Sequence, residues 1–185
     1  MANEKRMDQV ILGLLSHESL TGYEIKKRID TTLKYFWGGS YGSIYPTLGM
    51  LEKNGMVSKE EETETKNSRN KIRYTITEKG KAHLKEWLDT PVVKDELRYE
   101  TMLKLFFGNE AGSDVAISHI QRFEDQIKGE LPKLQRSVKI LESLQEEETH
   151  KYYMLTAMFG ARVYETYLEW CEEAKNILGT KRKEE

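Results

Sequence analysis

The sequence is short of several things. Its 185 residues hold a single cysteine, Cys171, which has no internal disulfide partner, and no Cys/His cluster carries zinc-ligand spacing. A disulfide scaffold, structural zinc and redox chemistry are therefore excluded from the expectations, and no cofactor or metal is foreseen. Long hydrophobic runs are missing too. Mean hydropathy is −0.69, with 38% of residues hydrophobic against 32% charged, which leaves no surplus of apolar surface for a bilayer. The short apolar run at 10–15 is broken by Gly13 and ended by Ser16, His17 and Glu18. It lacks the longer apolar region and small-residue cleavage site of a signal peptide. A cytoplasmic location without a membrane partner is expected. Charge of one sign is also scarce: the net charge is −2, with 15 Lys and Arg against 13 Asp and Glu over 1–90, and 14 against 18 over 91–185. This balance permits a nucleic-acid face on the first half and argues against phosphate contacts on the second.

What is present is helical periodicity. Over 9–15, Val10, Ile11, Leu14 and Leu15 fall at the spacing of a short buried helix. Thr21, Gly22, Tyr23 and Glu24 have the form of a capping box, which predicts a second helix to about 34 with Ile25, Ile29 and Leu33 inward. After the Gly38-Gly39 turn, Ser40 caps a predicted third helix to Asn54, with Ile44, Leu48 and Leu51 buried and Gly55 as its stop. Residues 71–77 alternate polar residues with Ile72, Tyr74 and Ile76, the period of a strand with one wet face, and pair best with 57–63. Residues 64–70, all polar or turn-forming, make the tip of this hairpin, or wing. Thr77 to Gly80 opens a fourth helix carrying Leu84, Trp87 and Leu88, and Thr90-Pro91 ends it.

The second half reads as all helix. A helix over 95–107 offers Leu97, Met102, Leu103, Leu105 and Phe106 for burial, and 108–112 breaks it. From Ser113 onward, Ile120, Phe123, Ile127, Leu131, Leu134, Val138 and Leu141 recur at a mean spacing of 3.5, a coiled-coil seam. Gly129 and Pro132 predict a kink at 128–132. A last helix over 150–178 carries Met154, Ala157, Ala161, Tyr164, Leu168 and Cys171. Two long helices with narrow seams cannot bury themselves fully in one chain, so a homodimer is expected, using Phe123, Ile127, Leu134, Met154, Ala157, Ala161, Tyr164 and Leu168. The fold class expected is mainly α (α+β): a winged helix-turn-helix domain at 1–90, followed by an all-helical, coiled-coil-like dimerisation domain at 91–185.

On a helical wheel, the side of the third helix opposite Ile44, Leu48 and Leu51 carries Gly42, Pro46 and Gly49, flanked by Tyr41 and Tyr45 on one edge and by Ser43, Thr47 and Met50 on the other. A small, hydrogen-bonding face lets a helix sit deep in the major groove of double-stranded DNA. It equally suits packing against another helix; its place after a capped helix and before a hairpin favours DNA. Lys26, Lys27 and Arg28 on the second helix, and Lys66, Arg69, Lys71 and Arg73 in or beside the wing, are candidate phosphate ligands. Glu60, Glu61, Glu62 and Glu64 would repel a duplex, so the run is expected to point away from it.

Taken together, residues 40–48 (Ser-Tyr-Gly-Ser-Ile-Tyr-Pro-Thr-Leu), Leu51-Glu52, Gly55-Met56-Val57 and 74–80 (Tyr-Thr-Ile-Thr-Glu-Lys-Gly) resemble the PadR family of bacterial transcriptional regulators. Asp95-Glu96, 102–107, 150–156 and 167–170 are similar to the helical C-terminal dimerisation region of its longer subfamily. The resemblance implies a dimeric, sequence-specific repressor whose affinity for its operator falls when a small, often aromatic or phenolic, effector binds. It also implies that Tyr23, Tyr41, Ser43 and Tyr45 face DNA. The aromatics Trp87, Tyr152, Tyr153, Phe159 and Trp170 are candidates for an effector pocket between the two halves, or for core. Two rival readings differ in class. Residues 38–42 formally match the G-x-S-x-G elbow of a serine hydrolase, but no parallel-strand pattern accompanies them. A protein-interaction module would use the tyrosine-bearing helix and the C-terminal coil to dock another protein.

Overall fold

The structure is a computed structural model that describes residues 6–37, 41–62, 71–93, 95, 98–144 and 148–180, with Tyr41 and Glu62 described by their backbone only. The chain divides into two compact units, Met1–Asp95 and Glu96–Glu185. The first contains α1 (Met7–Leu15), β1 (Leu20–Thr21), α2 (Gly22–Arg28), α3 (Ile44–Lys53), β2 (Val57–Glu62), β3 (Lys71–Ile76) and α4 (Glu78–Asp89). The second contains α5 (Glu100–Phe106), α6 (Ser113–Ser143) and α7 (Glu148–Gly179).

In the first unit, α1 buries Met7, Ile11, Leu12 and Leu15 along one stripe. The capping box on α2 is complete: the Glu24 N–H donates to Thr21 Oγ1 at 3.2 Å and the Thr21 N–H to Glu24 Oε2 at 2.8 Å. That backbone bond, ahead of the Thr21 hydroxyl and the charges of Arg73 and Lys71, holds the Glu24 carboxyl below the usual glutamate range. Beyond Arg28 the helix widens into one π turn over Ile29–Leu33, in which the Lys34 N–H reaches the Ile29 carbonyl at 3.1 Å. The Thr31 hydroxyl donates to the Lys27 carbonyl at 2.8 Å, a side-chain bond of the kind that competes with the regular ladder. The predicted single helix to 34 therefore changes pitch midway.

The third helix begins later than the sequence predicts. A 3₁₀ turn occupies Tyr41–Ser43 and α3 starts at Ile44, while the predicted cap, Ser40, lies outside the described residues. Ile44, Leu48 and Leu51 are fully buried, each worth about 1.5–3 kcal/mol. Gly55, at φ 69°, ends α3 in a Schellman motif: the Met56 N–H bonds the Leu51 carbonyl at 2.9 Å and the Gly55 N–H bonds Glu52 at 2.8 Å. β2 and β3 pair antiparallel with Val57 opposite Ile76 and Glu62 opposite Lys71; β3 ends one residue before the predicted 77, and residue 63 lies outside the described residues. Thr77 leaves the strand because its hydroxyl caps α4, accepting the Gly80 N–H at 3.1 Å. The sheet gains a third strand not foreseen, β1, giving the order β1-β3-β2, with Leu20 opposite Tyr74 and Thr21 opposite Arg73. Val57, Tyr74 and Ile76 close the core beneath the helices. On α4, Leu88 is 64% exposed, and Trp87 is half-buried beneath the Arg6 guanidinium.

In the second unit, α5 is shorter than predicted: Tyr99 is still extended, Leu103 and Phe106 are exposed, and Leu97 lies outside the described residues. α6 runs 31 residues, with Gly129 and Pro132 inside it. It packs antiparallel on α7, as the pairs Glu124–Lys175 and Gln135–Glu165 require. Ala116, Ile120, Ile127, Leu134, Ala161 and Cys171 are buried, and so is Glu124. Its carboxylate takes Lys128 at 2.7 Å and Lys175 at 2.5 Å, which hold it below the usual range against burial. Tyr99, Phe123, Tyr164, Tyr167 and Trp170 form an aromatic cluster in which the Tyr99 and Tyr167 hydroxyls lie 2.6 Å apart. Burial first, and this bond second, raise Tyr167 above an ordinary phenol. Among the described residues no helix is long and apolar enough to cross a membrane.

Candidate nucleic-acid interface

With Ile44, Leu48 and Leu51 turned into the core, helical geometry turns the other side of α3 outward. Tyr45 is 65% exposed there, Pro46, Gly49 and Met50 are exposed, and Ser43 and Thr47 are half-buried. The Tyr41 side chain lies outside the described residues. Tyr23, one residue into α2, is 70% exposed. The ring of Tyr45 reaches across to α2 and lies against buried Gly22, so closely that a Cβ there would be 2.6 Å from Cε1. The start of α2 and the start of α3 thus present one surface bearing two tyrosines. Gly22 is a member of this surface that sequence reasoning missed. The available signal was the capping box itself, which places Gly22 at the first helical position, where glycine has no backbone advantage.

Several of the basic residues flanking this face have structural work. Arg28 pairs with Glu18. The Arg73 Nη1 donates to the Ser19 carbonyl at 2.7 Å and lies 3.6 Å from Glu24. These two arginines, candidate phosphate ligands in the sequence, thus already have partners within the unit. Lys59 pairs with Glu52 at 2.9 Å, tying β2 to α3. Lys26, Lys27 and Lys71 are exposed. Lys66 and Arg69, with Glu64, lie at the wing tip, outside the described residues. Of the glutamate run, Glu60 and Glu61 are exposed residues of β2 opposite Arg73 and Ile72, and the Glu62 backbone lies opposite Lys71.

The residues expected at a dimer contact divide within the second unit. Ile127, Leu134 and Ala161 are already covered by the α6–α7 packing of one chain. Phe123, Met154, Ala157, Tyr164 and Leu168 are half-buried. Of the candidate effector aromatics, Tyr152 and Phe159 are 65% exposed, whereas Trp170 belongs to the aromatic cluster. Tyr152 and Trp170 stand about 27 Å apart at 1.5 Å per residue along α7, so they cannot line one small pocket in one copy. The Gly38, Gly39 and Ser40 of the formal elbow motif lie outside the described residues.

Three helices around one core, a capped second helix, an outward-facing third helix and a β-hairpin laid beside them define a winged helix-turn-helix domain, carried here with an antiparallel helical unit. The comparisons with known proteins agree. Residues 11–86 match the model of the transcriptional regulator PadR-like family, and 97–179 match that of the virulence activator alpha C-terminal region. The chain belongs to the PadR-like family of transcriptional regulators, which are not enzymes. The smu.1604c protein of Streptococcus mutans is 32% identical with a TM-score of 0.79, over 90% of this chain and 96% of that one. The PadR-like transcriptional regulator BC1756 of Bacillus cereus is 26% identical with a TM-score of 0.79, over 94% and 95%. PadR of Bacillus subtilis, named a negative transcriptional regulator, has been solved with operator DNA and with p-coumaric acid. In the DNA complex it is 27% identical to this chain with a TM-score of 0.77, over 92% and 98%.

Proposed function

We propose that this regulator is a sequence-specific repressor that binds double-stranded operator DNA as a homodimer and is released by a small aromatic effector. The observation that carries the DNA contact is the joint exposure of Tyr45, on the face of α3 opposite its buried stripe, and of Tyr23 at the start of α2. In this reading α3 enters the major groove, with Tyr41, Ser43, Tyr45 and Thr47 toward the bases and Tyr23 beside them. Lys26, Lys27 and Lys71, with Lys66 and Arg69 at the wing tip, neutralise phosphates on either side. A second copy is supported by the apolar surface that one chain leaves uncovered in its second unit, where Tyr152, Leu155 and Phe159 are each about 60% exposed along one side of α7. Repression and effector release are supported by the Bacillus subtilis relative, a negative regulator solved with operator DNA and with p-coumaric acid.

An electrophoretic shift assay with the upstream region of the chain's own gene tests this, run at several salt concentrations and with p-coumaric acid added. The expected result is a shift at submicromolar protein that weakens steeply with salt and reverses with the acid. Absence of salt-sensitive binding at micromolar protein would leave the tyrosine face to a protein partner instead.

A further inference from the structure

We propose that Gly22 is the seat that orients the ring of Tyr45, and is thereby a specificity-determining positioning residue of the DNA interface. This rests on Tyr45 being a DNA contact. The backbone offers no reason for glycine at this place. Gly22 is the first residue of α2, and the glycines with positive φ among the described residues are Gly55 and Gly112. A glycine there loses conformational entropy on folding that alanine would not. Space is the reason: a Cβ at Gly22 would lie 2.6 Å from Tyr45 Cε1, 3.0 Å from Cζ and 3.1 Å from Oη. By contrast, a Cβ at Gly13 or Gly49 would meet nothing within 4 Å.

The contact matters because most of the Tyr45 side chain is exposed. Tyr45 is 65% exposed while Gly22 is buried, so the edge resting on α2 constrains an otherwise solvated side chain. The seat itself is rigid. The capping box fixes Thr21 and Glu24, Thr21 pairs with Arg73 across the sheet, and Arg73 bonds the Ser19 carbonyl at 2.7 Å. The ring is therefore ordered before DNA arrives, and binding does not have to order it. An added methyl at 22 has to push the ring edge away by about 1 Å to reach ordinary contact, more than the roughly 0.5 Å tolerance of a recognition site. Because the atoms met are the far end of a side chain, the ring moves and the fold stays.

Gly22→Ala, Tyr45→Ala and the double variant of the full chain are measured by fluorescence anisotropy. One duplex is selected by the wild-type protein from a random pool, and a second is unrelated in sequence. Gly22→Ala is expected to lose about 10-fold in affinity for the selected duplex while its affinity for the unrelated one and its salt dependence stay unchanged, since no phosphate contact is removed. The double variant is expected to bind as Tyr45→Ala does, because the seat has nothing left to hold. Melting temperatures of Gly22→Ala and wild type are expected to agree within a few degrees. The proposal is overturned if Gly22→Ala binds both duplexes like wild type while Tyr45→Ala is weakened, or if the two losses multiply in the double variant. It is overturned equally if Gly22→Ala unfolds and the double variant does not, since the ring would then be a packing element that cannot yield. Should Tyr45→Ala itself bind both duplexes like wild type, the DNA contact fails, and this inference fails with it.

Discussion

Replacing Gly80 with alanine adds one carbon at the place where α4 leans on the turn after α3. The new Cβ would lie 2.2 Å from the Met56 carbonyl oxygen and 2.8 Å from Ile76 Cγ1, and the first of these is backbone. Relief requires more than 1 Å of separation between α4 and the 54–56 turn. Three hydrogen bonds hold that turn: the Thr77 N–H to the Met56 carbonyl at 3.0 Å, the Thr77 hydroxyl to the Gly55 carbonyl at 2.8 Å, and Lys79 Nζ to the Asn54 carbonyl at 2.8 Å. Losing them costs about 1 kcal/mol each, and alanine's better helix propensity returns at most about 1 kcal/mol, for a net loss near 2 kcal/mol. For a unit of this size that lowers the melting temperature by roughly 8–16 °C. Circular dichroism melting of the full chain reads the change. Gly49→Ala serves as the control: it lies in the exposed interior of α3 with nothing within 4 Å, and is expected to melt at or above the wild-type temperature. A Gly80→Ala chain that melts with wild type would refute the tight seating of α4.

Glu124→Gln is expected to destabilise the second unit by roughly 1–3 kcal/mol at neutral pH, read from the urea midpoint, because Lys175 and Lys128 lose their shared carboxylate but can both still reach water. Glu124 is depressed in the folded state, so its contribution is complete above the ordinary glutamate value of about 4.3 and fades as pH falls through its lower folded value. The gap between wild type and variant should therefore close in acid; a gap that persists or widens would contradict the assignment. Thr21→Ala removes the acceptor at the start of α2 and should cost about 1 kcal/mol in thermal melting. Lys27→Ala should weaken selected and unrelated duplexes alike and lower the salt slope of binding by about 1, whereas an unchanged slope would remove Lys27 from the phosphate contacts.

Hydrophobic spacing made much of this fold legible. Ile44, Leu48 and Leu51 announced the inward face of α3, and Ile72, Tyr74 and Ile76 announced β3, because a helix and a strand bury residues at different periods. The capping box and Gly55 marked helix ends through local chemistry that needs no tertiary context. What stayed hidden depends on neighbours distant in sequence. β1 is two residues long, too short to show a period, and exists because β3 offers it an edge. The partners of Arg28 and Arg73 were hidden because charge in a sequence carries no partner; Glu18, Glu24 and the Ser19 carbonyl supply them in space. The burial of Glu124 has no sign in the apolar pattern of α6, since its partner Lys175 lies 51 residues away. Gly22 was hidden for the same reason: its meaning is the Tyr45 ring that fills the space above it.

The most direct measurement places a photo-crosslinking aromatic residue at position 45, and separately at position 74, in the full-length protein, irradiates each with the selected duplex, and maps the products. Tyr45 is exposed and Tyr74 is buried beneath the sheet. The expected result is a crosslink from position 45 to bases inside the protected site, and none to DNA from position 74. Crosslinks from position 45 to protein alone, on a duplex that is fully bound, would contradict the assignment of this face of α3 to the major groove.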